Sequence, residues 1–561
     1  MSDEDFKQSI ESSHVEHAAQ DRQKHGKNGI LLVPQPSDNP EDPLNWPTSK
    51  KLRVLMIVNL AAFSGTAQAL INAAGFHPQA ELYGKTLVEM SYSLSAACAG
   101  LAVGPLVWAM LSERFGKCAC IFWSLLISMA LNVWSACMTS PNQYIPFVIS
   151  RMLSSLFSSA PTCLGSKLIM ETFFLHDRGK CFALYSSCIL LGTVAASTIS
   201  GLIVDSQPWP HQFWFCVGLQ GGLAVLCLLW VDDTCWPRTP QEPVVPMFPT
   251  FVQRKLATYI LTNRFLLRQH SRPLRVLAKN QLCILFSPIT ICVAGALSIY
   301  FAWSISINTY LSIYLQEPEK IGGYGFTPLQ NALFTFCQWA SIVAAQLYGH
   351  FVNDRLPLAL CARNHGRWKA EYRLHSLWIP VLIIQPIGLG LFGVSLRYHL
   401  HYMVLAVATF LATFAAVAGT PSTTNYLVEA FPGEVANDVM AVVNFYRMIL
   451  GIAVPFFLEH WSEVVSVNWV YGTMAFAAVF ACMIVIGVVV TGGWLRSKSL
   501  IKSGVEQGVS ALSAGMHCRY PVRITYSKDQ QVNVDTLSLS RKKELVPLNM
   551  RSLRAFQELF V

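Results

Sequence analysis

The sequence predicts an all-α membrane protein, with twelve transmembrane helices in two pseudo-symmetric six-helix bundles. Three observations predict it. Of 561 residues, 53% are hydrophobic and only 13% charged, where a soluble domain carries about 25% charged residues. Twelve apolar runs approach or exceed the roughly 20 residues that cross about 30 Å of hydrocarbon as a helix. A charged turn also recurs. Ser112-Glu113-Arg114-Phe115-Gly116-Lys117 separates the second and third runs, and Asn353-Asp354-Arg355 follows the eighth, 241 positions later (354 minus 113). Matching turns in two halves indicate an internal repeat.

The first six spans are 53–75, 86–111, 118–139, 144–171, 181–204 and 212–231. The second six are 288–312, 329–351, 376–396, 402–427, 438–459 and 468–492. The first span contains Asn59, Gln68 and Asn72, and the seventh is rich in Ser. These spans divide the chain into a tail (1–52), a first bundle (53–231), a linker (232–287), a second bundle (288–492) and a C-terminal tail (493–561). The N-terminal tail is polar and lacks a signal-peptide core, so it is expected in the cytosol. The linker opens with the Pro-rich run 236–249. In 250–270, Phe251, Leu256, Ile260, Leu266 and Leu267 interleave with Arg254, Lys255, Arg264 and Arg268, which predicts an amphipathic surface helix. The C-terminal tail is basic, has no membrane-length run and suggests no fold.

The formal net charge of +9 raises nucleic-acid binding, but the basic residues sit in loops between apolar spans. Topology explains them better. With the N-terminus inside, Arg114, Lys117, Arg178, Lys180, Arg355, Arg373 and the linker cations lie in inner loops, while outer loops hold only Lys85, Lys320 and Arg397. Both termini are then cytosolic, and no nucleic-acid partner is expected. The sixteen cysteines lie mostly inside apolar runs with no CxxC spacing, so they read as small hydrophobes rather than disulfides or metal ligands.

Charges inside a bilayer are costly and commonly functional. Arg151 lies about 10 Å below the outer end of its span, seven residues at 1.5 Å each. It either snorkels to the interface or faces a cavity, where it binds substrate or tunes a carboxylate. Arg447, beside Asn444 and Tyr446, is either a substrate-path residue or a structural pair with a carbonyl or carboxylate. Glu89 is near the outer rim; hydration there is the plain reading, and burial would raise its pKa and suit it to proton coupling. Lys167 and Glu171 have the spacing of a local salt bridge. Trp303, Asn308, Tyr310, Gln338 and Asn425 are singly helix-packing groups and together outline a polar cavity in the second bundle. No phosphate-binding loop and no repeated His boxes occur, which argues against an ATP-driven pump and a di-iron enzyme.

Taken together, the motifs resemble those of the major facilitator superfamily, in particular fungal twelve-helix drug:proton antiporters, over roughly residues 40–495. They are Asn39 to Pro47 before the first span, Gly104-Pro105, Ser112 to Lys117, Arg151 with Ser159-Ala160-Pro161, Asp177 to Lys180, Tyr324 to Thr327, Asn353 to Arg355 and Glu371 to Leu374. The resemblance implies an alternating-access carrier with bundles rocking about a central site. It implies that Glu113 latches one conformation against the start of the eleventh helix, with Arg114 and Lys117 as charge partners around the Gly116 turn. Asp354 and Arg355 are the implied counterparts. The fifth-helix antiporter motif keeps its small residues, including Gly192 and Gly201, but has lost both prolines. Ala109 and Ser155 stand where the family has Gly.

Three readings follow. The first is a proton-coupled exporter of a small organic molecule, a plasma-membrane monomer with no cofactor beyond the proton gradient. The second is a symporter or facilitator that imports a nutrient. The third is a non-transporting receptor on a carrier fold.

Overall fold

The structure, a computed structural model, describes residues 32, 34–234, 236, 250–256, 258–259, 273–318, 323–364, 368–432 and 435–498. The tail 499–561, the Pro-rich run from 237 to 249 and the amphipathic segment beyond residue 259 lie outside them. Among the described residues the regular structure is helical. In chain order the α-helices are α1 (Thr48–Leu70), α2 (Phe76–Tyr83), α3 (Leu87–Phe115), α4 (Lys117–Ala136), α5 (Tyr144–Ser158) and α6 (Ala160–Thr172). Next come α7 (Leu175–Ser206), α8 (His211–Trp230), α9 (Phe251–Leu256), α10 (Leu274–Leu285), α11 (Pro288–Gln316) and α12 (Pro328–Phe334). The last are α13 (Phe336–Tyr348), α14 (Arg355–Arg363), α15 (Gln385–Arg397), α16 (Tyr402–Ala430), α17 (Ala436–Val465) and α18 (Val467–Ser497).

Ten helical stretches among the described residues are long and apolar enough to cross a membrane. The fourth and eighth predicted spans are present as broken helices. The fourth divides at Ser159 into α5 and α6, and the eighth at Thr335 into α12 and α13. Both break residues keep right-handed helical dihedrals. At the first break Pro161 has no N–H to return to the preceding turn. The ninth span begins as a 3-10 turn (Ala370–Leu377) and a π-helical turn (Trp378–Ile384) before α15. Pro380 and Pro386 each remove a ladder donor there.

Local chemistry sets the helix ends. Thr86 and Glu89 form a capping box at α3, and Thr327 with Gln330 forms another at α12. One residue, Gly116 at φ +85°, turns the chain from α3 into α4. The same one-residue turn joins α17 to α18 at Ser466, φ +70°. Large apolar side chains point outward along the spans, among them Trp214, Phe476, Phe480 and Val490. In water they would form a costly apolar surface; against hydrocarbon they are at ease.

Candidate functional site

A cavity lies where the first and second halves meet. Its wall is made by Leu70 of α1, Cys98 and Leu101 of α3, Thr193 and Ser197 of α7, Phe301 and Asn308 of α11, Thr413 of α16 and Met448 of α17. The cavity is small, about 30 Å³. Among the described residues no charged side chain lines it. Among its polar side chains is Asn308, whose Nδ2 donates to the Ser304 carbonyl at 3.0 Å. The Asn308 Oδ1 accepts from Gln338 Nε2 at 2.6 Å, which ties α11 to α13. Gln338 is fully buried.

The halves touch on both sides of this cavity. Tyr92 of α3 stacks on Phe456 of α17, with centroids 4.5 Å apart. Toward the other end of the same helix pair, Gln281 Nε2 of α10 donates to the Leu106 carbonyl of α3 at 3.2 Å and to Asp438 Oδ1 of α17 at 3.0 Å. Thr198 of α7 and Thr335, between α12 and α13, share a hydrogen bond of 2.6 Å. The Asp205 carboxylate of α7 accepts the Leu329 N–H of α12 at 3.2 Å. Gly201 permits this packing between the halves, and Gly192 permits close packing of α7 on α1 within the first bundle. A Cβ at Gly192 would stand 2.6 Å from the Phe63 carbonyl oxygen, and one at Gly201 would stand 2.7 Å from that of Pro328.

Several expectations are corrected. Arg151 does not reach the protein surface and, among the described residues, meets no carboxylate. It is fully buried, and its Nη2 donates to the carbonyls of Gln68 and Ala69 at 2.9 and 2.8 Å. These are orphan carbonyls of the last turn of α1, so Arg151 caps that helix. Its guanidinium also lies 4.9 Å from the Phe213 ring centroid. Arg447 pairs with no carbonyl or carboxylate among the described residues; its guanidinium lies 5.2 Å from the Phe301 centroid. Glu89 is part of the α3 cap. It accepts from the Thr86 N–H at 2.9 Å and from Lys85 Nζ at 3.0 Å, and it does not line the cavity. Asn425 is exposed on the outer face of α16. Trp303 is partly buried outside the cavity lining, and Tyr310 is buried with Tyr314 beside it at 6.1 Å.

Lys167 and Glu171 do not pair with each other. Lys167 Nζ bonds Glu113 Oε1, and Lys117 Nζ bonds Glu171 Oε1. The α3–α4 turn is thus clasped to the end of α6 by two crossed ion pairs. Arg114, expected as a partner of Glu113, is exposed. Thr234 Oγ1 donates to the second Glu171 oxygen at 2.7 Å. In the second half, Arg373 Nε donates to Glu429 Oε1 at 2.8 Å, and Arg496 Nη2 lies 2.7 Å from Glu371 Oε1. Asp354 and Arg355 are exposed at the start of α14. Glu371, Glu429, Arg496 and Gln281 were not singled out as site residues from the sequence, although the first two flank predicted spans.

Beyond the spans, Asp232 joins three segments. Its carboxylate meets Lys50 at 2.6 Å and Lys255 at 2.9 Å. Burial opposes its ionisation, but the two ammonium groups outweigh burial and hold its carboxyl below the ordinary value.

Residues 54–455 match the profile of the Major Facilitator Superfamily. The efflux pump radE of Floropilus chiversii is 25% identical over 451 residues, 79% of this chain and 80% of that protein. The MFS-type transporter penM of Penicillium rubens is 25% identical over 453 residues, 79% of this chain and 85% of its own length. Among solved structures, the proton:xylose symporter XylE bound to 6-bromo-6-deoxy-D-glucose is similar at a TM-score of 0.55 and 15% identity, over 83% of this chain and 100% of that one. The inward-open form of XylE from E. coli is similar at 0.53 and 16%, over 82% and 99%. At such identities these structures share the fold and nothing finer. The family match across most of the spans makes this chain a multi-pass integral membrane transporter and not an enzyme, and it belongs to the Major Facilitator Superfamily.

Proposed function

We propose that this chain exports a small organic molecule across the plasma membrane by alternating access, driven by the proton gradient, as a monomer with both termini in the cytosol. The observation that carries this reading is the small cavity between the halves, with the direct Tyr92–Phe456 contact on one side of it and the linker residue Gln281 bridging α3 and α17 on the other. Opening one side at a time exposes the same wall to either face. Export is supported by the relatives whose names describe efflux pumps. Glu113, Gly116 and Lys117 form the gate of the first half, through the crossed pairs with Lys167 and Glu171. Glu371 and Arg373 supply the second-half counterpart.

One observation favours a facilitator as the second reading. The cavity wall carries no carboxylate, and Glu89, once a candidate proton carrier, is a helix cap. The test is flux in proteoliposomes with the proton gradient imposed in each direction, over cationic, anionic and neutral organics. Accumulation against a compound's own gradient while protons flow the other way supports antiport. Accumulation along with protons indicates import by symport, and equilibration that ignores the gradient indicates a facilitator.

A further inference from the structure

Two arginines lie deep in the spans, and carboxylates are nearly absent there. Only Glu89, Glu171, Asp438 and Glu459 fall inside the twelve predicted spans, each in a first or last turn. Arg151 gives its Nη2 to the carbonyls that end α1, although its own Nε and Nη1 are buried without a hydrogen bond. Arg447 has no such partner. It is 8% exposed, its Nε is buried without a hydrogen bond, and among the described residues it makes no ion pair. Its electrostatic neighbours are the face of Phe301 and the buried Tyr185 side chain of α7, both neutral groups. Phe301 itself, and Met448 next to Arg447 in sequence, both line the cavity. A permanent cation therefore stands behind the α11–α17 wall of the cavity, and among the described residues no side chain supplies a counter-charge.

We propose that Arg447 is the anion-recognising residue of the transport site and that the transported molecule is a small amphipathic organic monoanion. Its apolar body lies against Leu101, Val417 and Met448, and its acid group meets Arg447 past the Phe301 ring. The planar guanidinium matches a carboxylate with two parallel N–H donors. A buried cation is tolerated when a partner neutralises it, and here the substrate is that partner. The inference rests on the transport reading and narrows its substrate class.

The test uses the purified full chain, in detergent and in proteoliposomes, with matched pairs of equal size: benzoate and benzamide, cinnamate and cinnamamide, 4-phenylbutyrate and its amide. Thermal shift gives binding, and counterflow gives transport. At least one acid should bind wild type tenfold or more tightly than its amide. The preference should vanish in Arg447→Gln and persist, weakened, in Arg447→Lys, with Arg397→Gln as a surface control. The wild-type comparison needs no variant, so it stands even if Arg447→Gln fails to fold. Acids and amides binding equally, no acid preferred, or an acid preference that survives in Arg447→Gln would each overturn the inference. Transport of an amide with no preference for its acid leaves the transport reading standing while this one falls. An acid held through Arg447 with no counterflow does the reverse.

Discussion

Lys117 and Arg373 make the same contact in the two halves of the molecule. Each pairs with the glutamate near the end of a neighbouring long helix, Lys117 with Glu171 and Arg373 with Glu429. The offsets agree, 256 positions for the cations (373 minus 117) and 258 for the acids (429 minus 171). The turn acids, Glu113 and Asp354, are only 241 apart, because the second-half connection carries α14, which the one-residue α3–α4 turn lacks. The acid offset places Asn425 opposite Lys167 (425 minus 167 is also 258). Lys167 holds Glu113; its counterpart Asn425 carries no charge, and Asp354 is exposed. The repeat has kept one clasp in both halves and the second clasp only in the first.

The Arg373–Glu429 pair is about three-quarters buried on both sides. Removing one partner strands the other charge, so Arg373→Gln and Glu429→Gln should each destabilise the protein by about 1–3 kcal/mol. The double variant should cost less than the sum, with a coupling of roughly 1 kcal/mol. Thermal unfolding in detergent measures all three. Strictly additive losses would mean that the two side chains do not interact.

Ser466 occupies a backbone region that suits glycine, with φ +70° and ψ 147°. Gly116 makes the equivalent turn at φ +85° and ψ 147°. Non-glycine residues in such regions cost on the order of 1–3 kcal/mol. Ser466→Gly should therefore raise the melting temperature, offset in part by loss of the 2.7 Å hydrogen bond between Ser466 Oγ and Asn468 Oδ1. Gly116→Ala should lower it. If Ser466→Gly melts lower than wild type, the side-chain bond outweighs the strain.

Spans were legible because twenty apolar residues have few other uses. The two broken helices were harder, since Ser159 and Thr335 keep helical dihedrals and their sequences stay apolar. Partner choice was the weaker inference. Lys167 and Glu171 have ideal spacing along one helix, and only the packing of α6 on the α3–α4 turn shows that each reaches across instead. Two corrections were readable. Thr86-x-x-Glu89 is a capping-box pattern. On α16 the buried positions Ser422, Thr423, Tyr426, Leu427 and Ala430 follow one helical face, which turns Asn425 outward. Both arginines read as intramembrane cations in sequence, with Arg151 alone in a family-like motif; in the structure the end of α1 separates them, supplying carbonyls to one and not to the other.

Asp232 makes the stability of the clasp between Lys50, Lys255 and the end of α8 depend on pH. Its carboxyl is held below the ordinary value in the folded chain, so the unfolded chain binds the proton more readily. Its contribution is complete above the unfolded value of about 3.9 and is lost as pH falls through the depressed folded value. Wild type should lose stability between about pH 4 and lower pH more steeply than Asp232→Asn. Melting curves taken across that window compare the two. Parallel curves would show that the carboxylate contributes nothing through its charge.

Arg151 and Arg447 should separate cleanly by what their loss does. Arg151 Nη2 satisfies the Gln68 and Ala69 carbonyls at the end of α1, and unmet buried carbonyls cost about 1–3 kcal/mol. Arg151→Met should therefore lower thermal stability by about that amount. Arg447 satisfies no protein group among the described residues, and its burial is itself a penalty. Arg447→Met fills a similar volume without a charge, so it should match or exceed wild-type stability while transport falls. Such a gain of stability with a loss of flux is the pattern expected where charge is kept for function. Melting temperature and flux measured on the same preparations test both variants. If Arg447→Met melts well below wild type, the residue is structural after all, and its stabilising contacts are ones that only a charged group can make.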